Sequence, residues 1–227
     1  MKLSVIVPML NEAASIAGTL VAIRAGAPEA EIVVVDGGSI DASIEEARPH
    51  CDVVLSASRG RARQMNAGAA RASGDTLVFV HADTIVPTTF ARDIEAALAN
   101  PEVVGGRFDV RLDDPHPMCV LIGAMISLRS RISRTGTGDQ AIFVRRRIFG
   151  ALGGFPDMPI CEDLDFARRL KRAGRVACLR SKVTTSARRW RKGGIVRTIL
   201  RMWTIRLLYL AGVSPIRLAR MYSDVRT

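Results

Sequence analysis

A chain of 227 residues that is 48% hydrophobic and 24% charged has the composition of a globular domain with a sizeable core, which excludes a disordered or fibrous protein. Its net charge of +11 is unevenly placed: residues 1–117 carry 10 basic and 16 acidic side chains, residues 118–227 carry 23 and 6, and from Arg168 onward 17 cations face the single acid Asp224. Because 29 of the 33 cations are Arg in an Ala-rich chain, basicity alone does not argue for nucleic-acid binding.

Short β-branched runs alternate with Ala-rich helical patterns in the first hundred residues. Strands are expected at Leu3–Pro8, Glu31–Asp36, Val53–Ser56 and Thr76–His81, and helices at Glu12–Ala25, Asp41–Arg48 and Gly60–Ala72. Continuous apolar strands separated by helices predict an α/β fold whose mainly parallel sheet is covered on both faces. Ligands of such sheets bind beyond the carboxyl ends of the strands, which singles out Pro8–Glu12, Asp36–Asp41 and His81–Thr84. After a helix near Thr89–Ala99, Gly105–Leu112 alternates Phe108 and Val110 with Arg107, Asp109 and Arg111, as an antiparallel strand with one exposed face would. A helix over Met118–Ser133, a strand over Gln140–Arg145 and a helix over Leu164–Ala173 stopped by Gly174 follow. Arg175–Leu179 reads as a last strand, and Ile195–Ala211 as a long helix broken near Pro215. The domain reading is 1–185 as one unit, with 186–227 a basic helical extension packed on it.

The cysteines Cys51, Cys119, Cys161 and Cys178 are far apart, with no CxxC spacing and no His at the spacing of a ligand set, so neither a zinc site nor a disulfide framework is indicated and a reducing cytosol is expected. Leu3 to Leu10 is ended by Asn11 and Glu12 too soon for a secretory leader. The longest charge-free apolar stretch, Met118 to Leu128, is about half of the roughly 20 residues that span a bilayer. A cytoplasmic protein is expected, with no membrane span.

Four segments carry chemistry. Asp36-Gly37-Gly38-Ser39, at a strand end, suits hydrogen bonding to a base or ribose, and equally suits a turn with Ser39 or Asp41 capping the next helix. Asp83, in His81-Ala82-Asp83, suits either a divalent cation completed by phosphate and water or a plain turn. Arg59, Arg61 and Arg63 open a helix where a phosphate could bind or where solvent could meet them. Glu162 and Asp163 start a helix, either as dipole complements or with one of them as a general base.

In order and spacing these segments resemble the family 2 nucleotide-sugar glycosyltransferases of GT-A fold. The resemblance rests on Ser4-Val5-Ile6-Val7-Pro8-Met9-Leu10-Asn11-Glu12, the Asp36 to Asp41 turn, Arg63 to Gly68, His81-Ala82-Asp83, Gly153-Gly154-Phe155 and Glu162-Asp163. The Gly38 insertion, the Arg-Gly-Arg-Ala-Arg-Gln-Met-Asn run and Gly138-Asp139-Gln140-Ala141-Ile142-Phe143 resemble more narrowly a bacterial subgroup labelled arsenosugar-biosynthesis glycosyltransferases. The resemblance implies a donor site of Pro8, Glu12, Asp36, Gly38, Ser39, Arg63, Asn66, Ala82 and Asp83, with Asp83 holding Mn²⁺ or Mg²⁺. It implies Asp163 as the base of an inverting single displacement, with Glu162 beside it, and places Asp139, Gln140, Arg189 and Trp190 on the acceptor or diphosphate side. The family's DxD motif is here reduced to one carboxylate, and its Gln-x-x-Arg-Trp motif to Ser186-x-x-Arg189-Trp190, which argues against polymer synthesis.

The implied partners are a nucleotide-sugar donor, expected to be a UDP-sugar, and a small-molecule or lipid-linked acceptor. For Ile195–Ala211 three readings stand: a helix at a membrane surface with Trp203 and Tyr209 at headgroup depth, a homodimer interface, or a helix packed on its own domain with snorkelling Arg stems. A nucleic-acid module through the basic end is the rival from another class, disfavoured by the few aromatics. A sugar-phosphate nucleotidyltransferase is the third reading, distinguished by pyrophosphate release.

Overall fold

The computed structural model describes residues 1–222; residues 223–227, Asp224 among them, lie outside the described part. Strands β1 (Leu3–Met9), β2 (Glu31–Asp36), β3 (Val53–Ser56) and β4 (Thr76–Phe79) are joined by helices α1 (Ile16–Gly26), α2 (Ser43–Ala47) and α3 (Arg61–Arg71). The four strands run parallel in the order β3-β2-β1-β4. Successive residues point to opposite faces, and both faces are dry. Val5, Val7, Ile32, Val34 and Val78 pack with Ile16, Leu20, Ile23, Phe90 and Ile94 on one side, whereas Ile6, Val33, Val35, Leu77 and Phe79 meet Met65, Phe149, Phe155 and Phe166 on the other. That is why these strands read as unbroken apolar runs.

The second half contains β5 (Thr84–Ile85), α4 (Phe90–Leu98), β6 (Val103–Leu112), α5 (Pro117–Ser133), β7 (Ile142–Arg145), α6 (Arg146–Ala151), α7 (Glu162–Ala173), β8 (Arg175–Thr185), α8 (Arg188–Gly193), α9 (Ile195–Leu210) and α10 (Pro215–Ala219). The sheet continues from β4 as β7-β6-β8-β5, so the whole is mixed and mainly parallel on its first side, as expected. β5, α6, α8 and α10 were not legible: the strand is two residues long and the helices five or six, too short to show a period.

One expectation is overturned at β6. Its charged face is not exposed: Arg107 and Asp109 are each 1% accessible, because α5 covers them and Arg107 and Arg131 both pair with the Asp109 carboxylate. Only Arg111 of that face reaches solvent. β6 is antiparallel to β7 but parallel to β8, which runs six residues beyond the expected end at Leu179. The four cysteines are free thiols, and no helix among the described residues is long and apolar enough to cross a membrane.

Candidate active site

The carboxyl ends of β1 and β2 are knitted into one shelf. The Asp36 carboxylate accepts the Gly38 N–H (2.9 Å), the Ser39 N–H (3.1 Å) and the Ser39 hydroxyl, while Ser39 Oγ accepts the Asn11 N–H (2.9 Å). Ser43 Oγ accepts the Glu12 N–H at 2.7 Å, and Asn11 Oδ1 accepts the Ile40 N–H at 2.9 Å. Gly38 has φ +91°, a conformation that L side chains rarely adopt, so the glycine is needed for the turn itself. From α3, the buried Gln64 amide donates to the carbonyls of Met9 (2.7 Å) and Val35 (2.8 Å), fixing the same two strand ends from below. The turn reading of Asp36 is the one seen: its carboxylate is spent on its own loop, where Gly38 is exposed and Ser39 half-buried, and the next helix has Ala42 at its N-cap, without a side-chain cap.

Beyond the strand ends lies a cavity of about 280 Å³ whose wall includes Arg61, His81, Asp83, Arg129, Asp139, Asp163, Arg188 and Arg206. Asp163 is aimed by two backbone donors, Gly138 N–H to Oδ2 at 2.7 Å and Leu164 N–H to Oδ1 at 2.7 Å. Its neighbour Glu162 turns the other way. It is 2% exposed, with Oε1 2.8 Å from Arg61 Nε and Oε2 buried without a partner. Burial raises the Glu162 pKa and the Arg61 charge opposes the rise. The adjacent acids thus split into one that faces the cavity and one that holds Arg61 in its wall. The chain reaches this arrangement through Cys161 at φ +66°, a left-handed residue that is not glycine.

Across the cavity, Arg188 Nη2 bonds both Glu12 oxygens (2.8 and 2.9 Å) and approaches Asp83 Oδ2 at 3.4 Å. The sequence reading placed Arg189 on the diphosphate side; Arg189 lines the cavity but stacks on the Tyr222 ring, 4.8 Å from its centroid, and Arg188 is the cation on the Asp83 side. Among the described residues no three His, Cys, Asp or Glu side chains gather as a metal site. The donor set fits a hard divalent cation nonetheless, because Mg²⁺-type ions take one or two carboxylates and complete their shell with substrate phosphate and water. Asp83 is the carboxylate that could hold it.

The expected site residues divide accordingly. Asp83, Asp139, Asp163, Arg189 and Trp190 share the cavity. Pro8 lies within β1, opposite Val35. Ala82 is fully buried, its carbonyl accepting the Thr19 hydroxyl at 2.9 Å. Arg63 points outward and pairs with Asp157 at 2.9 Å. Asn66 spends both ends of its amide on the Phe155 peptide, donating to its carbonyl at 2.8 Å and accepting its N–H at 3.0 Å. Gln140 is fully buried and donates to Ser130 Oγ (2.9 Å) and the Phe108 carbonyl (3.1 Å). Arg61 belongs to the run where a phosphate could bind, whereas Arg129, Arg188 and Arg206 are not among the expected site residues. Only Arg61 carried a signal, its place in the Arg-x-Arg-x-Arg run; the others sit on three separate helices that the fold alone brings together.

The family profile described as Glycosyl transferase family 2 matches residues 4–145. No curated protein matches the chain. Similar solved structures include the mannosyltransferase PcManGT of Pyrobaculum calidifontis in complex with GDP-Man and Mn²⁺, with TM-score 0.67, 21% identity, 98% of this chain and 65% of that one. S. aureus TarS 1–349 in complex with UDP-GlcNAc has TM-score 0.62 and 20% identity over 82% of this chain and 58% of that one. Glucosyl-3-phosphoglycerate synthase of Mycobacterium tuberculosis, in complex with Mn²⁺, UDP and glucosyl-3-phosphoglycerate, has TM-score 0.56 and 21% identity over 82% and 70%. The chain covers 37% of the longer TarS structure. These likenesses bear on the fold, and the subgroup resemblance rests on the sequence motifs alone.

Proposed function

We propose that this chain, which belongs to glycosyl transferase family 2, moves a sugar from a nucleoside-diphosphate donor to an acceptor hydroxyl. The observation that carries the reading is the meeting of Asp163, Asp83 and the Arg-rich wall in one cavity beyond the carboxyl ends of the strands. The nucleotide and nucleotide-sugar complexes of the structural neighbours support this donor class, and their Mn²⁺ supports a divalent cation.

The reaction is a single displacement with inversion. The acceptor oxygen forms a bond to the anomeric carbon as the bond from that carbon to the diphosphate oxygen breaks, and Asp163 takes the acceptor's proton. Held by its two backbone N–H bonds, Asp163 is positioned before substrate arrives. A divalent cation on Asp83, Mn²⁺ or Mg²⁺, would neutralise charge on the leaving diphosphate. Arg188, 3.4 Å from Asp83, adds a cation beside that space. In a melting panel of nucleoside diphosphates and UDP-sugars with and without Mn²⁺, a metal-dependent rise in melting temperature supports the reading. Release of pyrophosphate from a nucleoside triphosphate and sugar phosphate would instead make the chain a nucleotidyltransferase.

A specific observation favours a membrane surface as the place of action. α5 buries Cys119, Ile122, Gly123, Ser127 and Ser130 and turns Leu121, Met125, Leu128 and Ile132 outward; α9 exposes Val196, Leu200, Trp203, Leu207 and Leu210. The two stripes meet at the cavity mouth, where Met125 and Trp203 both line the wall. Residues 166–222 contain no Asp or Glu, so two copies of this face would repel, whereas an anionic bilayer complements it. Cosedimentation with phosphatidylglycerol vesicles but not with phosphatidylcholine vesicles is the expected result, lost in Leu200→Glu with Leu207→Glu. A stable dimer dissociated by the same pair of changes would replace the bilayer with a second copy.

A further inference from the structure

Two cations of the cavity are left without counter-ions by the reaction as described. Arg129 projects from α5 and Arg206 from α9, and both line the wall that holds Asp163. Among the described residues neither makes an ion pair with a carboxylate, in contrast to Arg61 on Glu162 and Arg188 on Glu12 and Asp83. Arg129 Nε is buried with no partner, and its guanidinium reaches only Thr137 Oγ1, at 3.5 Å.

The two groups act on each other as like charges. Burial, then the facing Arg129, brings Arg206 down to about 10 against the pull of Asp163; burial also lowers Arg129, which Asp139 and then Asp163 oppose and Arg107 reinforces. Asp83 figures in neither environment; it acts on Arg188. The charge of Asp163 is thus felt by both groups, and all three side chains line one cavity. Asp163 and Asp139 offset only part of the cost of holding two half-buried guanidiniums together without a direct ion pair, and a bound anion removes more of it through charge-assisted, bidentate hydrogen bonds.

We infer that Arg129 and Arg206 bind an anionic group of the acceptor, so that the second substrate is an alcohol carrying a phosphate or carboxylate, its hydroxyl presented to Asp163. This rests on Asp163 being the acceptor-side base. The covalent step is unchanged: the hydroxyl oxygen joins the anomeric carbon, its proton passes to Asp163, and the nucleoside diphosphate leaves. Arg129 and Arg206 orient the acceptor and make no bond to the reacting atoms. The same chemistry is available from a soluble phosphate ester or from a phosphate headgroup at the apolar mouth formed by Met125 and Trp203.

The test is calorimetric titration of the intact protein with inorganic phosphate, with glycerol 3-phosphate, and with phosphatidylcholine vesicles doped with phosphatidic acid, each beside a titration with UDP and Mn²⁺. Inorganic phosphate is expected to bind saturably, and Arg129→Gln or Arg206→Gln to weaken it by about 10-fold or more, as loss of a charge-assisted pair does, while UDP affinity changes by less than about 2-fold. Arg129→Lys and Arg206→Lys, which keep the charge, are expected to fall between wild type and the Gln variants, separating anion binding from damage to the fold. Of glycerol 3-phosphate and the doped vesicles, the probe whose binding depends on both Arg identifies the source. Phosphate binding unchanged in both Gln variants overturns the inference, and so does a parallel loss of UDP affinity, which would put the pair on the donor diphosphate. Failure of the wild type to bind UDP at all would sink the glycosyltransferase reading while leaving the phosphate titration to be judged separately.

Discussion

Gly138 lies where the chain passes between His81 and Asp163. A Cβ there would sit 2.5 Å from His81 Nε2, and its N–H is one of the two donors that aim the Asp163 carboxylate. Asp163→Asn removes the proton acceptor but keeps the shape, so transfer is expected to fall about 10²–10⁴-fold with donor affinity nearly unchanged, as the loss of a general base predicts; single-turnover rates beside UDP titrations check it. Cys161, two residues before, lines the same cavity but is not a nucleophile. Burial, followed by Asp163 and Glu162, pushes its thiol up to about 12, so at pH 8 its thiolate fraction is on the order of 10⁻⁴. Its labelling by a thiol-specific reagent at that pH should be slow and should accelerate as pH rises toward the folded value, an order opposite to that of a catalytic cysteine. At this scale Asp83 and Asp163 stand out locally, as carboxylates at a strand end and a helix start, but that pattern equally fits a turn and a dipole complement, and the family resemblance is what singles them out. Asn66 and Gln140 were not legible, because an amide that faces a ligand and one that clasps a peptide look alike until its partners are known.

The elements show where period alone misleads. β6 alternates charge with apolar side chains as a solvent-facing strand does, yet α5 lies over Arg107 and Asp109 and shuts them in. The charges survive burial because they neutralise one another, and leaving one unmatched is expensive. Asp109→Ala should cost about 3–5 kcal/mol, the usual penalty for orphaning a buried partner, and is read in urea denaturation. α5 itself was correctly bounded to within a residue, but its mostly apolar composition could not say which face was covered. Gly123 and Ser127 lie against Val110, where a Cβ on Gly123 would already come within 3.1 Å of the Val110 carbonyl, so small residues are needed where α5 crosses β6, while Ile122 is the large side chain of the helix that is buried. The vesicle experiment on α9 belongs with this arrangement, since both helices expose the same kind of stripe beside the cavity.

At the scale of the molecule, the segment after Thr185 is a wall of the site. Ser186, Arg188, Arg189, Trp190, Met202, Trp203, Arg206 and Tyr222 all line the cavity, and Arg188 reaches back 176 residues to Glu12. Glu12 has a fully buried side chain, so Arg188→Met removes from a core acid the cation that bonds both of its oxygens. The cost should be about 2 kcal/mol, below that of a fully enclosed pair because Arg188 itself is one-third exposed. Denaturation midpoints measure that loss, and donor titrations with Mn²⁺ should show weaker binding in the same variant.

By itself the sequence determined the parallel half of the sheet, the strand-end loops that matter, the order of the acids and the family they resemble. Those features are local: a buried parallel strand needs a continuous apolar run, and a strand-end carboxylate or tight glycine turn needs only its immediate neighbours. The opening charge asymmetry was also visible, but its use was not. Only the tertiary structure decided that Glu162 turns to Arg61 while Asp163 faces the cavity, that Arg188 and not Arg189 meets Asp83, and that Arg129 and Arg206, from helices far apart in the chain, converge on Asp163. The reason is physical: a cation's role is set by the counter-charge it finds across the fold, and no spacing along one helix records which carboxylate, if any, will be there.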